Sequence, residues 1–405
     1  MSDIYGILNT GIGALLTQQK AIDVTGHNIA NVNTPGYSRQ KVNMETCEPI
    51  SFASGQIGTG VRAVEIQRIY DRFLGVQINN ENQSLGRWET QKDALERAEI
   101  VFNESSGYGL NQSMGEFWNA WQDLANNPSG HVERVTLLAK SSAMAASFNE
   151  MNSDLQQIQK DIDTSIKGTA GEINLLTEQI AELNEKISQT ETGGQNANDY
   201  RDSRELLLKD LSLLININTF EDNDGKVNVF TGNGRPLVAN LSSWELSTTL
   251  NGDNLHDVTW IDNEGNESNI TDYISGGKLK GWLDARDVEI PDYLDKLDTL
   301  AGKTIEEVNN IHSAGFGLDD STGNNFFTGT TAADIEVNQV IIDDVNLIAA
   351  ALSEGAPGDN GNAINIADLQ NAFTMSGNKA TFDDFYNSLV SEVGSSVQKV
   401  TVDFD

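Results

Sequence analysis

The chain has 405 residues with 26 basic and 60 acidic side chains, a formal charge of −34, and at roughly 150 residues per domain its length predicts two or three domains. So acidic a chain repels polyanions, which argues against nucleic acid and anionic membrane surfaces as partners. Its one cysteine, Cys47, rules out an internal disulfide framework and a cysteine-rich zinc site.

At the N-terminus the first cation is Lys20 and no apolar core follows a basic stretch, so no cleavable leader is expected. The longest apolar run, Leu347 to Leu352, is far shorter than the ~20 residues of a membrane span, and no membrane insertion is expected. Ile4, Leu8, Ile12, Leu15, Ile22 and Ile29 recur at helical steps and mark one face of a first helix. A lone one-sided helix is marginal in water, so this one needs a partner surface. The Asn-rich stretch Thr25 to Gln40 ends in a Pro-Gly turn signal and reads as a loop, followed by short strands through Val61, Val64 and Ile66.

Helical patterning returns from Asp71 to Phe102, and a further helix carries Phe117, Trp118, Trp121 and Leu124, an aromatic stripe that reads as core. Asn127-Pro128 reads as a helix start and Gly193-Gly194 as its stop. Between them Met144, Phe148, Met151, Leu155, Ile158 and Ile162 alternate steps of four and three, as do Ile173, Leu176, Ile180, Leu183 and Ile187. The two runs are out of phase, and Gly168 and Gly171 lie at the slip, which predicts a kink or break there. A helix over Asp199 to Leu214 precedes a change in pattern: residues 216–280 carry alternating Val227 and Val229, turn clusters at Asp222–Gly225 and Gly232–Gly234, then Trp244, Leu246, Val258 and Trp260. Helix resumes from Leu294 to Ile311, and a loop-rich stretch leads to a last helix using Phe382, Phe385, Leu389, Val393, Val397 and Val400. Strand signals between helical runs suit either a β insertion in a helical domain or two consecutive domains.

Signs of catalysis are weak. Gly302-Lys303-Thr304 resembles the end of a phosphate loop, but Leu297 stands where that loop needs glycine, and the tripeptide lies in a helical pattern. Asp222-Asn223-Asp224-Gly225 fails the calcium-loop spacing, with Phe220 and Thr231 at ligand positions, and reads as a hairpin turn. His27, His131, His256 and His312 stand apart in sequence, without a metalloprotease motif. No catalytic, cofactor-binding or metal-binding residue is therefore assigned.

The segment ANVNTPGYSRQ, Ala30 to Gln40, after an amphipathic helix resembles the signature of bacterial flagellar axial proteins, and its TPGYSRQ ending is similar to the FlgK family of hook-associated proteins. Further similar segments are GGQNANDYRDSRELLLKDLSLLININ, DGKVNVFTGNGRPLV, SGGKLKGWLDARD, VNNIHSAGFGLD and GDNGNAINIADLQ. The resemblance implies a non-enzymatic structural subunit at the hook–filament junction, exported through the flagellar type III apparatus to the extracellular flagellum. It implies no cofactor, and as partners other copies of itself, hook protein, the next hook-associated protein and, for the full-length protein, an export chaperone. The implied fold is mainly α with an inserted small β domain, an elongated helical-bundle and coiled-coil axial protein. Its expected divisions are an inner layer at 1–66, a helical domain at 67–215 plus 281–405, and an outer β domain at 216–280. An assembly motif is expected at Asn28, Ala30, Asn31, Asn33, Thr34, Pro35, Gly36, Tyr37, Ser38 and Arg39. In it Pro35 and Gly36 fix a turn, Tyr37 supplies a buried ring, and Arg39 meets an acidic neighbour. The family normally continues into a C-terminal helix that pairs with the first, so a chain ending at Asp405 is expected to lack that partner. The rival expectations are a rod or hook subunit, or a secreted enzyme with a pocket in 216–280.

Overall fold

A computed structural model describes residues 4–103 and 109–404. The chain is mainly helical with small antiparallel sheets, and it groups into two compact units, residues 1–87 with 166–280 and residues 88–165 with 281–405. In chain order the elements are α1 (Ile4–Ala30), β1 (Gln40–Thr46), β2 (Ile50–Phe52), β3 (Gly55–Ile57), β4 (Val61–Arg68), α2 (Arg72–Phe102), α3 (Leu110–Asn126), α4 (His131–Thr192) and α5 (Asn198–Leu214). Then come β5 (Ile217–Glu221), β6 (Val227–Thr231), β7 (Pro236–Ala239), β8 (Ser242–Ser243), β9 (Leu246–Leu250), β10 (His256–Ile261), β11 (Glu267–Asn269), α6 (Gly277–Asp284) and α7 (Ile290–His312). Last are β12 (Phe327–Thr328), β13 (Glu336–Val337), α8 (Gln339–Asp343), α9 (Gly361–Asp368) and α10 (Phe382–Phe404).

Three local expectations are corrected. Thr25 to Ala30 is the end of α1 rather than loop; the Thr25 hydroxyl donates to the Ala21 carbonyl and Asn31 donates to the His27 carbonyl, which extends the helical bonding into the Asn-rich stretch. The start of α4 is His131, not Pro128, because Asn127 to Gly130 forms a turn closed by the Gly130 amide on the Asn127 carbonyl. Nor does α4 break at its glycines. Ile162, Ile166, Thr169, Ile173, Thr177, Ile180, Asn184 and Ile187 are all buried, so the stripe continues at steps of three and four through polar positions that an apolar template skips.

In the first unit two asparagines of α4 tether the β region. Asn184 donates to the carbonyls of Val227 (2.8 Å) and Asn240 (2.9 Å) and accepts from the Val227 amide (3.1 Å) and the buried Arg204 guanidinium (2.8 Å). Asn174 makes a two-way pair with the backbone of Leu246. The β region forms a four-stranded sheet in the order β5-β6-β7-β8 and a three-stranded one in the order β11-β10-β9. Three of its hairpin loops share one design: at Asp222, Asn251 and Asp262 a side-chain oxygen accepts two amides from the next four residues, and the fourth loop position, Gly225, Asn254 or Gly265, takes a positive φ.

The second unit has an aromatic centre. Phe117, Trp118 and Trp121 of α3 are fully buried with Phe326, Phe327 and Phe382, and Trp118 stacks on Phe382 at 5.6 Å between centroids. His312 packs among them, 5.2 Å from Phe326. The buried Arg134 guanidinium donates to the carbonyls of Ile348 (2.6 Å), Pro128 (2.7 Å) and Val345 (3.2 Å). Gly302 to Thr304 lies within α7, where Lys303 pairs with Glu306 and Glu307.

Candidate assembly surface

The first helix has two unlike sides. Its small polar side lies on the β1–β4 ladder: the Thr10 hydroxyl reaches the Thr59 carbonyl at 3.2 Å, Thr17 reaches the Val61 carbonyl at 3.3 Å, and Val24 is buried. The opposite side carries Ile4, Leu8, Ile12, Leu15, Ile22 and Ile29, each between 50% and 79% exposed. A row of six large aliphatic side chains left in water is unfavourable by about 2 kcal/mol apiece relative to burial. Such a contiguous patch marks an interaction surface.

Below it the Asn-rich segment is a tight polar knot. Asn28, half-buried, donates through Nδ2 to the Gln40 carbonyl (2.8 Å), while its Oδ1 accepts the Gln40 amide (2.8 Å) and the Tyr37 hydroxyl (2.7 Å). Because a backbone amide can only donate, this pairing fixes which way the Asn28 amide points. Asn31 bonds the His27 carbonyl and accepts the Thr34 hydroxyl, and the Tyr37 amide closes a turn on the Thr34 carbonyl. Gly36 has φ 78°, a backbone conformation that favours glycine, and a Cβ there would press on Leu206 at 3.1 Å from its Cβ.

The motif is not one contiguous contact set. Asn28, Asn31, Gly36, Tyr37 and Ser38 are half-buried on this knot, whereas Ala30, Asn33, Thr34, Pro35 and Arg39 are exposed. The Tyr37 ring is half-buried rather than buried, packed edge-on to His27 at 5.4 Å. Burial, with the carboxylates of Asp199 and Asp202, raises the Tyr37 pKa and keeps its hydroxyl a donor. Arg39 has no ion-pair partner among the described residues.

Sequence reasoning missed the acidic face that anchors this knot. Asp199, Asp202 and Glu205 follow at steps of three along α5. Asp202 accepts the Ser38 amide at 2.8 Å and pairs with Arg68 at 3.0 Å; Asp199 accepts Gln40 Nε2 at 2.8 Å. Glu205 pairs with Arg68 at 3.3 Å and accepts the Tyr70 hydroxyl at 2.8 Å. The Arg68 guanidinium also lies 4.3 Å from the centre of the Tyr70 ring, and burial together with the Glu205 charge holds the Tyr70 hydroxyl protonated. Three acids spaced by three in DYRDSRE were the available signal.

Hollows flank the knot on both sides. One, of about 580 Å³, is lined by His27, Asn31, Pro35, Tyr37, Leu183 and Leu206; the other, of about 750 Å³, by Val24, Ile29, Val32, Val42, Met44 and Ile69 among others. Among the described residues no group of three His, Cys, Asp or Glu side chains is placed to hold a metal ion, and no helix is long and apolar enough to cross a membrane.

Residues 95–327 match the profile of the flagellar hook-associated protein FlgK helical domain, and residues 8–37 that of the flagella basal body rod protein. The chain is 30% identical to flagellar hook-associated protein 1 of Bacillus subtilis over 98% of this chain and 87% of that relative. It is 26% identical to the protein of the same name from Salmonella typhimurium over 80% of this chain, spanning 59% of that relative's length. In fold it is similar to the flagellar hook junction protein FlgK from Burkholderia pseudomallei, with a TM-score of 0.71 and 14% identity over 80% of this chain and 96% of that one.

Proposed function

The chain belongs to the FlgK family of flagellar hook-associated proteins, and from that premise we propose that it is a structural junction subunit connecting the bacterial flagellar hook to the filament. The observation that carries the reading is the uncovered aliphatic face of α1 above a rigid polar knot. A helix that contributes only Thr17 and Val24 to the buried interior of its own chain is built to be covered by something else.

On this reading the protein has no catalytic role, acts in the extracellular part of the flagellum after type III export, and uses an inner layer at 1–66, a helical domain at 67–215 plus 281–405, and an outer β domain at 216–280. The α1 face makes coiled-coil contacts, and Asn28 to Arg39 set the angle at which the helix leaves the body. Its partners are other copies of itself, hook protein, the next hook-associated protein, and an export chaperone. The hydrogen bonds from α5 to the knot support this, because a surface presented to neighbours needs a fixed base.

A rod or hook subunit is the second reading, favoured by the rod-protein likeness of residues 8–37. The two separate on gene deletion, with electron microscopy of the cells and measurement of flagellin in the medium. Hooks without filaments and with leaked flagellin support the junction; intact filaments refute it, and absent hooks favour the rod or hook subunit.

A further inference from the structure

We propose that the β5–β6 hairpin is a brace for the knot: through Glu221 it holds α5 at the rotation from which Asp199 and Asp202 bond Gln40 and Ser38. This gives the β region a part in assembly. Glu221, Arg201 and Glu191 are then positioning residues that act on the knot through α5.

Adjoining sides of α5 carry opposite charges. Asp199, Asp202 and Glu205 face the knot and Arg68, whereas Arg201 and Arg204 face the hairpin. Arg201 donates through Nε and Nη2 to both oxygens of Glu191 at the end of α4, at 2.6 and 2.8 Å, and through Nη1 to Glu221 of β5 at 2.5 Å. The fully buried Arg204 guanidinium donates to the Gly225 carbonyl in the hairpin loop at 2.8 Å and lies 3.5 Å from Glu221. The loop is seated closely on these arginines, since a Cβ at Gly225 would stand 2.4 Å from Arg201 Nη2.

These bonds close a ring. Glu221 also pairs with Arg72 at the start of α2, and Arg68, just before it in the chain, pairs with Asp202. The ring runs from Glu221 through Arg201 to the adjacent Asp202, across to Arg68, and back along the chain to Arg72. Asp202 is also the acceptor of the Ser38 amide. The Arg201, Glu191 and Glu221 side chains are 18%, 23% and 11% exposed, so water and salt screen their pairing only in part. Successive side chains of a helix stand about 100° apart, so a rotation of α5 that slackens Arg201 moves Asp202 through the same angle. Without Glu221, the guanidiniums of Arg72, Arg201 and Arg204 lose the carboxylate they share and repel one another, which drives α5 from that rotation.

The test is hydrogen exchange at the Ser38 amide of the full chain. Glu221→Gln is expected to speed that exchange by about tenfold, with the α3 amides of the second unit unchanged. Asp202→Asn speeds it as well, and adding Glu221→Gln to that variant adds little, because both act at one bond. Arg201→Lys keeps the charge and loses the fork, so it gives a smaller rise in the same direction and decides the matter should Glu221→Gln not fold. Unchanged Ser38 exchange, a rise shared equally by the α3 amides, or additive effects of the Glu221 and Asp202 substitutions overturns the proposal. Its consequence for assembly rests on the junction reading and is read separately, as filaments restored to a strain lacking the gene. A variant with a loosened Ser38 amide is expected to restore fewer filaments than the parent, and undiminished restoration by such a variant also overturns the proposal. Failure of the parent chain itself to restore filaments counts instead against the junction reading, and the exchange result stands without it.

Discussion

Asn28 satisfies an amide, a carbonyl and a hydroxyl at once, and no other side chain of its size presents that donor and acceptor set. Replacing it by alanine orphans the Gln40 amide and carbonyl together with the Tyr37 hydroxyl. Asn28→Ala is expected to cost about 2 kcal/mol of local stability, read as faster hydrogen exchange at the Gln40 amide with little change at the aromatic centre of the second unit. Equal protection at Gln40 in the two proteins would show that the knot holds without it. His312 obeys the same saturation rule with a pH signature. Its Nδ1 donates to the Asn324 carbonyl at 2.7 Å and its Nε2 accepts the Ala349 amide at 3.0 Å, so the neutral ring is completely bonded and a second ring proton would face an amide hydrogen. Burial, with the nearby Arg134 charge, lowers its pKa to about 4. Between about pH 6.5 and pH 4 the unfolded chain binds a proton that the folded one refuses, so stability rises with pH through that window and is lost on acidification. The difference amounts to about 3 kcal/mol at full extent. Urea unfolding of the parent and of His312→Gln should give curves that converge as the pH falls from 7 to 4; parallel curves would assign the acid sensitivity to other groups.

At the scale of elements, α4 shows how a helix can tolerate residues that argue against it. Gly168 and Gly171 have open space where a Cβ would stand, and the helix runs through both. Their cost is intrinsic rather than steric, so Gly168→Ala and Gly171→Ala should each stabilise the protein by about 1 kcal/mol, visible as a raised thermal midpoint. A lowered midpoint would mean that the bare backbone at these positions serves a contact in the assembly-competent state. The long helices were legible because their apolar repeats are long, and the core role of the α3 indoles followed from the same spacing, whereas the short α6, α8 and α9 span too few turns to show a repeat and were not read as helices. What was illegible is where polar side chains replace apolar ones inside the stripe. Asn184 is buried because the β region needs hydrogen bonds from α4, and hydrophobic periodicity carries no information about such demands. Arg39 was readable as a cation seeking an acid, yet the acids of α5 are bonded to Ser38, Gln40, Arg68 and Tyr70 instead, a choice made by tertiary contacts far apart in sequence.

For the molecule as a whole, the interior and the N-terminal helix make separate claims on the sequence. Large side chains are committed to the interior from Leu95 onward, while those of α1 lie in water. If the interior does not depend on α1, deletion of residues 1–26, which spares Asn28 and everything below it, should leave the thermal midpoint of the remaining chain within a few degrees of the parent. The same deletion should abolish filament restoration in a strain lacking the gene, because the aliphatic face is then gone while the folded body persists. Both readouts are needed. A large fall in thermal midpoint would mean that α1 supports the chain's own interior through Thr10, Thr17 and Val24, and its exposed face would then be a by-product of that support. Restored filaments from the shortened chain would mean that the junction is built without this face. The exposed row would then have to be explained by something other than assembly, since six aliphatic side chains in water are maintained at a free-energy cost only where a partner repays it.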